Sequence, residues 1–322
     1  MLQPCARLAP VLALSLLAGC AVPGLYGSSP GRYAVARTEA FVMHDPVQDR
    51  DIPVRMSYPQ AAGRFPVVVY SHGAFCYPQH YAVITDRWVA NGYIVVLPDH
   101  QDSPNNQRSL TAGEMKMLTE ARIADINFLF ANLDAVAAAA GIPARMDTDR
   151  LAVAGHSFGT VMAMAKAGLW MKMPDGSRRQ FLDERIRGAV IMSGVGQMDD
   201  MMAPDAFSGL SLPLIATGGT LDLGNVGRPP VYPWQWRMSP YTLAPPGNKY
   251  SVVLEKGDHY LGGLICRADR GGEDDPQGAA IDASFTLAFL DAYVKGDGRA
   301  ARFLATADVA ALTAGRARFD RK

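Results

Sequence analysis

The sequence predicts an α/β fold, with a mostly parallel central sheet, helices on both faces and an antiparallel edge near the N-terminus. Short apolar runs rich in β-branched residues alternate along the chain with stretches of helical periodicity, the pattern of right-handed βαβ units. The central runs, such as residues 66–71, are apolar almost throughout, as expected of strands whose two faces are both covered. The first two candidate strands alternate apolar and polar residues instead, which favours an antiparallel pair at the sheet edge.

The predicted elements show no internal repeat, so we expect a single domain over residues 38–322. Residues 99–111 and 223–248, rich in Pro, Asn and Gly, are predicted to be long loops of the kind that carry function. Strands are predicted at residues 38–44, 52–58, 66–71, 93–97, 150–154, 188–193, 213–217 and 250–254. Helices are predicted at residues 79–91, 112–140, from 158 onward and at 280–295.

The composition of the 322-residue chain is that of a globular protein, with 49% hydrophobic and 19% charged residues. Lys plus Arg and Asp plus Glu number 31 each, so charge gives no reason to expect a nucleic-acid partner. The six histidines include no pair at helical metal-ligand spacing, and the four cysteines form no C-x-x-C motif. We therefore predict no bound metal and no nucleic acid, and we expect a monomer.

The N-terminus is predicted to be an export signal. Arg7 precedes an apolar run over residues 8–17, which is too short to span a bilayer and is followed by small residues. Leu-Ala-Gly-Cys at residues 17–20 looks like a bacterial lipobox, so residues 1–19 are a predicted signal peptide and Cys20 a lipidated first residue. The alternative is a secretory signal cut elsewhere. Residues 20–37 would then be a flexible tether, and Ala21 in place of Asp suggests, by resemblance, an outer-membrane lipoprotein that faces the periplasm.

A nucleophile elbow is predicted at residues 155–159, which read Gly-His-Ser-Phe-Gly. An apolar strand runs directly into this pentapeptide and a helical pattern follows it, the order that the elbow of α/β hydrolases requires. Ser157 would present its hydroxyl at a helix N-terminus, where the free N–H groups favour developing negative charge. A serine needs a base, and His259 is the one histidine downstream of it. Ser157 is therefore the predicted nucleophile and His259 the predicted base.

The acid of the triad is predicted to be Asp222, which follows the strand at residues 213–217. From a loop after an intervening strand, a carboxylate can hold the imidazole in its reactive tautomer. Asp199 and Asp200, which follow the preceding strand, are rivals for this role. Asp258 adjoins the base in sequence and is poorly placed to face it.

The oxyanion hole needs two preorganised N–H donors. One is predicted to be the amide of Phe158, directly after the nucleophile. The other is expected from the loop after the strand that ends at Ser71, and we assign it to the amide of Ala74.

Three segments carry a resemblance to known families: residues 65–73, 88–96 and 155–159. They resemble the platelet-activating-factor acetylhydrolases and the related dienelactone-hydrolase-like and cutinase-like polyester hydrolases, over roughly residues 50–295. The resemblance implies the α/β-hydrolase fold, ester hydrolysis without a cofactor, and an oxyanion donor just after the Ser-His-Gly motif. It names no substrate.

The chain departs from these families in two ways. The acetylhydrolases carry their acid just after the strand that here ends at Ser193, where this sequence has no carboxylate, so the acid moves to Asp222 as in cutinase-like enzymes. Dienelactone hydrolases proper use a cysteine in the elbow, whereas this chain has Ser157.

Aromatic residues in the loops near the predicted site are candidates for an apolar substrate pocket, above all Phe75, Trp234 and Trp236. Cys76 and Cys266 lie in two loops that should converge on one end of the sheet. In an exported protein they could form a disulfide, and two buried free thiols are the alternative.

The sequence thus predicts a serine hydrolase of carboxylic esters, acting on a small-molecule or polymeric substrate and attached to a membrane through Cys20. An amidase or an acyltransferase would use the same triad. A non-catalytic binding lipoprotein that keeps the fold is the third hypothesis, against which stands the intact set of nucleophile, base, acid and elbow.

Overall fold

A computed structural model describes residues 24–27, 31–107, 109–173, 175–224, 230–270 and 272–322. The predicted signal peptide and Cys20 lie outside these residues. Within them, no helix has the length and apolar character needed to cross a membrane.

The structure is built on a twisted, mostly parallel sheet that contains ten of the strands in the described ranges. In order along that sheet they run β1, β3, β5, β4, β6, β9, β10, β11 and β12, and β2 pairs with β3 next to β1. The strands are β1 (Val35–Arg37), β2 (Phe41–Asp45), β3 (Arg50–Pro59), β4 (Phe65–Ser71), β5 (Ile94–Pro98), β6 (Met146–His156), β7 (Met171–Lys172), β8 (Arg178–Arg179), β9 (Ile186–Met192), β10 (Leu214–Gly219), β11 (Lys249–Leu254) and β12 (Ala317–Arg321).

The pairings confirm the predicted fold class. Strands β5, β4, β6, β9, β10 and β11 are parallel, and β1, β2 and β3 form the expected antiparallel edge. The opposite edge is also antiparallel, because β12 pairs with β11. The sequence pattern predicts no strand over residues 317–321. Strands β7 and β8 form a separate short hairpin.

Helices cover both faces of the sheet. They are α1 (Ala82–Ala90), α2 (Ala112–Lys116), α3 (Leu118–Ala131), α4 (Leu133–Ala139), α5 (Gly159–Lys166), α6 (Ser239–Thr242), α7 (Pro276–Leu290), which continues into a π-helical turn at Asp291–Lys295, α8 (Gly298–Thr306) and α9 (Val309–Leu312). The stretch 112–140, predicted as one helix, is three helices separated at Met117 and Asn132. The Asn132 side chain donates to the carbonyl of Phe128, the local bonding that lets Asn compete with the helical backbone.

The core has two layers, one on each face of the sheet. Successive residues of β4 point to opposite layers, with Val67 and Val69 in the layer of α3, α4 and α5, and Val68 and Tyr70 in the layer of α1 and α7. Every residue of β4 and β5 is buried, as expected of central strands whose two faces are both covered.

The predicted tether over residues 20–37 needs correction, because part of it belongs to the folded body. Val35–Arg37 is strand β1, paired with β3. Leu25 is buried, and the Tyr26 hydroxyl donates to Asp291 at 2.9 Å. A Gly- and Pro-rich composition predicted coil, but packing against the body decides the structure of these residues.

Candidate active site

Ser157 stands on a strained turn between β6 and α5. Its φ is +51°, in the left-handed region that a non-glycine residue rarely adopts. The turn is tight because a side chain at Gly159 would overlap the carbonyl of Ser71, and one at Gly155 would overlap the carbonyl of Gly159. The Ser157 amide donates to the carbonyl of Met192 at 2.9 Å, which ties the elbow to the neighbouring strand β9.

The structure brings the three predicted triad residues together. His259 Nε2 lies 2.9 Å from Ser157 Oγ, and His259 Nδ1 lies 2.8 Å from Asp222 Oδ1. The three residues follow β6, β10 and β11, so the carboxyl ends of parallel strands place them at one edge of the sheet. The Asp222 side chain is fully buried, whereas that of His259 is 15% exposed and can reach a substrate. A hydroxyl, an imidazole and a buried carboxylate in this chain can activate the serine oxygen as a nucleophile.

Asp222 is also bonded to a cation. Arg237 Nε donates to Asp222 Oδ1 at 3.1 Å, and Arg237 Nη2 donates to the carbonyl of Leu223 at 3.2 Å. Burial opposes ionisation of Asp222, but His259 and Arg237, with a smaller contribution from Ser193, outweigh it and lower the carboxyl pKa to about 2. The acid is therefore ionised at any pH at which the imidazole can act as a base.

The rival carboxylates have other roles. Asp258 Oδ1 accepts from the amides of Tyr260 and Gly262, both at 2.9 Å, and so stabilises the turn that carries the base. Asp199 is exposed and accepts from the Gln197 side chain. Neither is hydrogen-bonded to His259.

Two backbone amides are free for an oxyanion. Among the hydrogen bonds of the described residues, the N–H groups of Ala74 and Phe158, the predicted donors, have no acceptor. Phe158 follows the nucleophile, and Ala74 follows β4, the strand next to β6. Unpaired amides at this edge of the sheet are the donors that a developing oxyanion requires.

A buried ion pair fixes the loop of Ala74. Arg122 on α3, with no exposed surface, donates to the carbonyls of His72 at 2.6 Å and Gly73 at 3.2 Å. It also binds both carboxylate oxygens of Asp102, at 3.0 and 2.6 Å, and Asp102 in turn accepts from the amide of Phe75 at 3.0 Å. The peptides on either side of Ala74 are therefore clamped. Sequence reasoning missed this pair because α3 is far from the loop along the chain.

A second network links the oxyanion loop to the loop of the base. The Gly73 amide donates to the Tyr81 hydroxyl at 3.1 Å, and that hydroxyl lies 2.9 Å from His156 Nδ1. His156 Nε2 lies 2.9 Å from the carbonyl of His259, which can only accept, so Nε2 carries the proton and Nδ1 accepts from Tyr81. Burial lowers the pKa of His156 well below its usual range, so the ring is neutral and fixed in one tautomer. His156, the second residue of the elbow, thus holds the loop of the base in position.

A disulfide joins the same two loops. Cys76 and Cys266 are bonded, with Cα atoms 4.5 Å apart, and the amide of Tyr77 donates to the carbonyl of Cys266 at 3.2 Å. The described residues contain no group of three or more His, Cys, Asp or Glu side chains that could hold a metal ion.

The three predicted pocket aromatics lie in different places. Phe75 is half-buried beside the oxyanion donor. Trp236 Nε1 donates to the carbonyl of Gln197 at 3.2 Å, which places its ring over the loops that follow β9 and β10. Trp234 packs instead against Arg318 of the edge strand β12, and the structure does not bring it to the triad.

The sheet order, the helices on both faces and the elbow after β6 define the α/β-hydrolase fold. The family model for chlorophyllase matches residues 29–173, a segment that holds the oxyanion loop and the elbow but ends before Asp222 and His259. This similarity indicates an ester hydrolase of the α/β-hydrolase type. No curated protein matches the chain.

Proposed function

We propose that the protein is a serine carboxylic-ester hydrolase with Ser157 as nucleophile, His259 as general base and acid, and Asp222 as the residue that orients it. The observation that carries this proposal is the continuous chain of contacts from Ser157 Oγ through both nitrogens of His259 to Asp222, at 2.9 and 2.8 Å. The similarity to chlorophyllase supports the ester as the bond that is cleaved.

The reaction proceeds through an acyl-enzyme. Ser157 Oγ attacks the ester carbonyl carbon while its proton passes to His259 Nε2, and the amides of Ala74 and Phe158 receive the oxyanion. The intermediate collapses as His259 returns the proton to the leaving alcohol oxygen, which leaves the acyl group on Ser157. Water then attacks that acyl carbon and gives a proton to His259. Collapse of the second intermediate releases the acid and restores the serine hydroxyl.

We also propose that the chain is exported and anchored to a membrane through a lipid on Cys20, as its N-terminal sequence predicts. The buried Leu25 lies five positions after Cys20, and an extended chain covers at most about 3.5 Å per position. A lipid at Cys20 would therefore hold the body within roughly 17 Å of the membrane surface.

A fluorophosphonate probe tests the proposed function. We expect wild-type protein to be labelled at Ser157, and Ser157→Ala to lose both the labelling and at least about a thousandfold of its p-nitrophenyl ester turnover. Ser211, an exposed serine just before β10 at the opposite end of the sheet, provides the control, since Ser211→Ala should keep both. Equal labelling of Ser157→Ala and wild type would exclude Ser157 as the nucleophile, and the absence of esterase activity in wild type would favour a binding role.

A further inference from the structure

A cleft of about 530 Å³ adjoins the proposed active site. It lies between the oxyanion loop, the long loop after β5 and the segment that follows the disulfide. Its apolar lining includes Phe75, Leu110 and Met115, and its charged lining includes Arg267 and Arg270.

Two contacts place this cleft next to the reacting groups. On one side, Phe75 lines the cleft and directly follows Ala74, the proposed oxyanion donor. On the other side, Arg270 Nη1 lies 3.5 Å from the hydroxyl of Tyr260, and the Tyr260 ring packs edge-on against His259 with centroids 4.7 Å apart. A group bound in the cleft would therefore lie next to the ester bond that Ser157 attacks.

The cleft carries a net positive charge. Asp102, which also lines it, is neutralised by its buried pair with Arg122. Arg267 is paired with Asp269 at 2.5 Å. In the described residues Arg270 forms no ion pair, although Asp269 lies close enough to interact with it, and its side chain is exposed.

We propose that this cleft selects an ester that carries an anionic group, such as a carboxylate, on an apolar body. The anionic group would pair with the Arg270 guanidinium, a good geometric match for a carboxylate, while the body lies against Phe75, Leu110 and Met115. The inference rests on the proposed function, because it names the substrate class of the same site.

Matched esters test the charge preference on either side of the scissile bond. Phenyl acetate and 4-acetoxybenzoate differ by a carboxylate on the alcohol side, and 4-nitrophenyl butyrate and mono-4-nitrophenyl glutarate differ by one on the acyl side. For each pair, the measured quantity is the ratio of kcat/KM for the anionic ester to kcat/KM for the neutral ester. We expect Arg270→Gln to lower this ratio about fivefold in at least one pair. Arg270→Glu should lower that ratio further and raise kcat/KM for a trimethylammonium-bearing phenyl acetate.

Arg299 is the matched control. It is an exposed arginine that lines a separate cavity beside Pro66 at the start of β4, at the opposite end of the sheet from Ser157. Arg299→Gln should leave both ratios as in wild type. Unchanged ratios in both Arg270 variants, or the same change in the Arg299 variant, would overturn the anionic-substrate proposal. A wild type that hydrolyses none of these esters would instead overturn the proposed function.

Discussion

At the scale of single residues, the unusual feature is that the triad acid is bonded to a guanidinium as well as to the base. Asp222 Oδ1 accepts from both His259 and Arg237, and both donors lie within 3.1 Å. The Arg237 guanidinium also packs on the Trp236 ring, 5.2 Å from its centroid, so the loop that carries these residues is tied to the acid. We assign Arg237 as a positioning residue that fixes the carboxylate and shares its charge with the imidazole.

This sharing predicts a shift in the pH profile. In Arg237→Met the guanidinium no longer offsets the negative charge of Asp222. The carboxylate then stabilises the imidazolium form of His259 more strongly, relative to the neutral ring that must accept the serine proton. We expect the acidic limb of the kcat/KM profile to move to higher pH. Measurement of kcat/KM with a neutral ester between pH 4 and 9 reports this shift.

Arg237→Lys is the conservative control, since it keeps a positive charge while losing the guanidinium geometry. It should move the limb less than Arg237→Met does. A uniform loss of activity at every pH, with the limb unmoved, would show that Arg237 acts through packing alone.

The sequence reveals some of these residues and hides others. The order of serine, acid and base along an α/β-hydrolase chain leads to Ser157 and His259, and to Asp222 among its rivals. Arg237 and Tyr81 carry no motif. Their roles come from contacts with residues that the fold brings near. Arg237 contacts Asp222, 15 positions away, and Tyr81 contacts His156, 75 positions away.

At the scale of elements, two loops from opposite ends of the chain act as one unit. The disulfide closes a separation of 190 residues and joins the oxyanion loop to the segment after the base. A cross-link over so long a loop restricts the unfolded chain strongly. The Tyr81 and His156 bridge connects the same loops, so the disulfide adds to an arrangement that hydrogen bonds already specify.

We therefore expect Cys76→Ser/Cys266→Ser to lower the free energy of unfolding by about 2–5 kcal/mol. Chemical denaturation of the oxidised protein measures this loss. A reductant should lower the free energy of unfolding of wild type to that of the double variant. It should not change the free energy of unfolding of the variant. Free thiols at Cys76 and Cys266 in the denatured, unreduced wild type would show that the bond is absent.

The predictable elements are those whose pattern is dictated by burial on both faces. Each apolar run of the central sheet forms a strand, and most of its helices occur where periodicity indicates them. The edge strands β1 and β12 are not predicted because each is short and only one of their residues, Ala317, is buried. Their structure comes from pairing with β3 and β11 rather than from local pattern.

At the scale of the whole molecule, one buried carboxyl makes stability depend on pH. Asp282 of α7 faces the sheet, where it accepts from the Thr217 hydroxyl at 3.1 Å, and its Oδ1 has no partner among the described residues. Burial raises its pKa to about 7, with Asp275 and Asp222 adding to the shift and Thr217 and Arg316 opposing it.

The sign of the effect follows from linkage. The folded chain holds this proton up to about pH 7, whereas the unfolded chain releases it near pH 4, so the free energy of unfolding falls as pH rises between these values. Over that range the loss reaches about 4 kcal/mol at most. Asp282→Asn keeps the neutral form at every pH, so the variant should be more stable than wild type at pH 8 and nearly equal to it at pH 4.

Denaturation curves for both proteins between pH 4 and 8 isolate this one group, because the other titrating residues contribute equally to each. Asp200, an exposed carboxylate, gives the control, since Asp200→Asn should follow the wild-type curve throughout. A constant difference between Asp282→Asn and wild type at all pH values would mean that the carboxyl is ionised in the folded core. The packing of α7 on the sheet would then have to accommodate a buried charge, which the single hydrogen bond from Thr217 cannot offset.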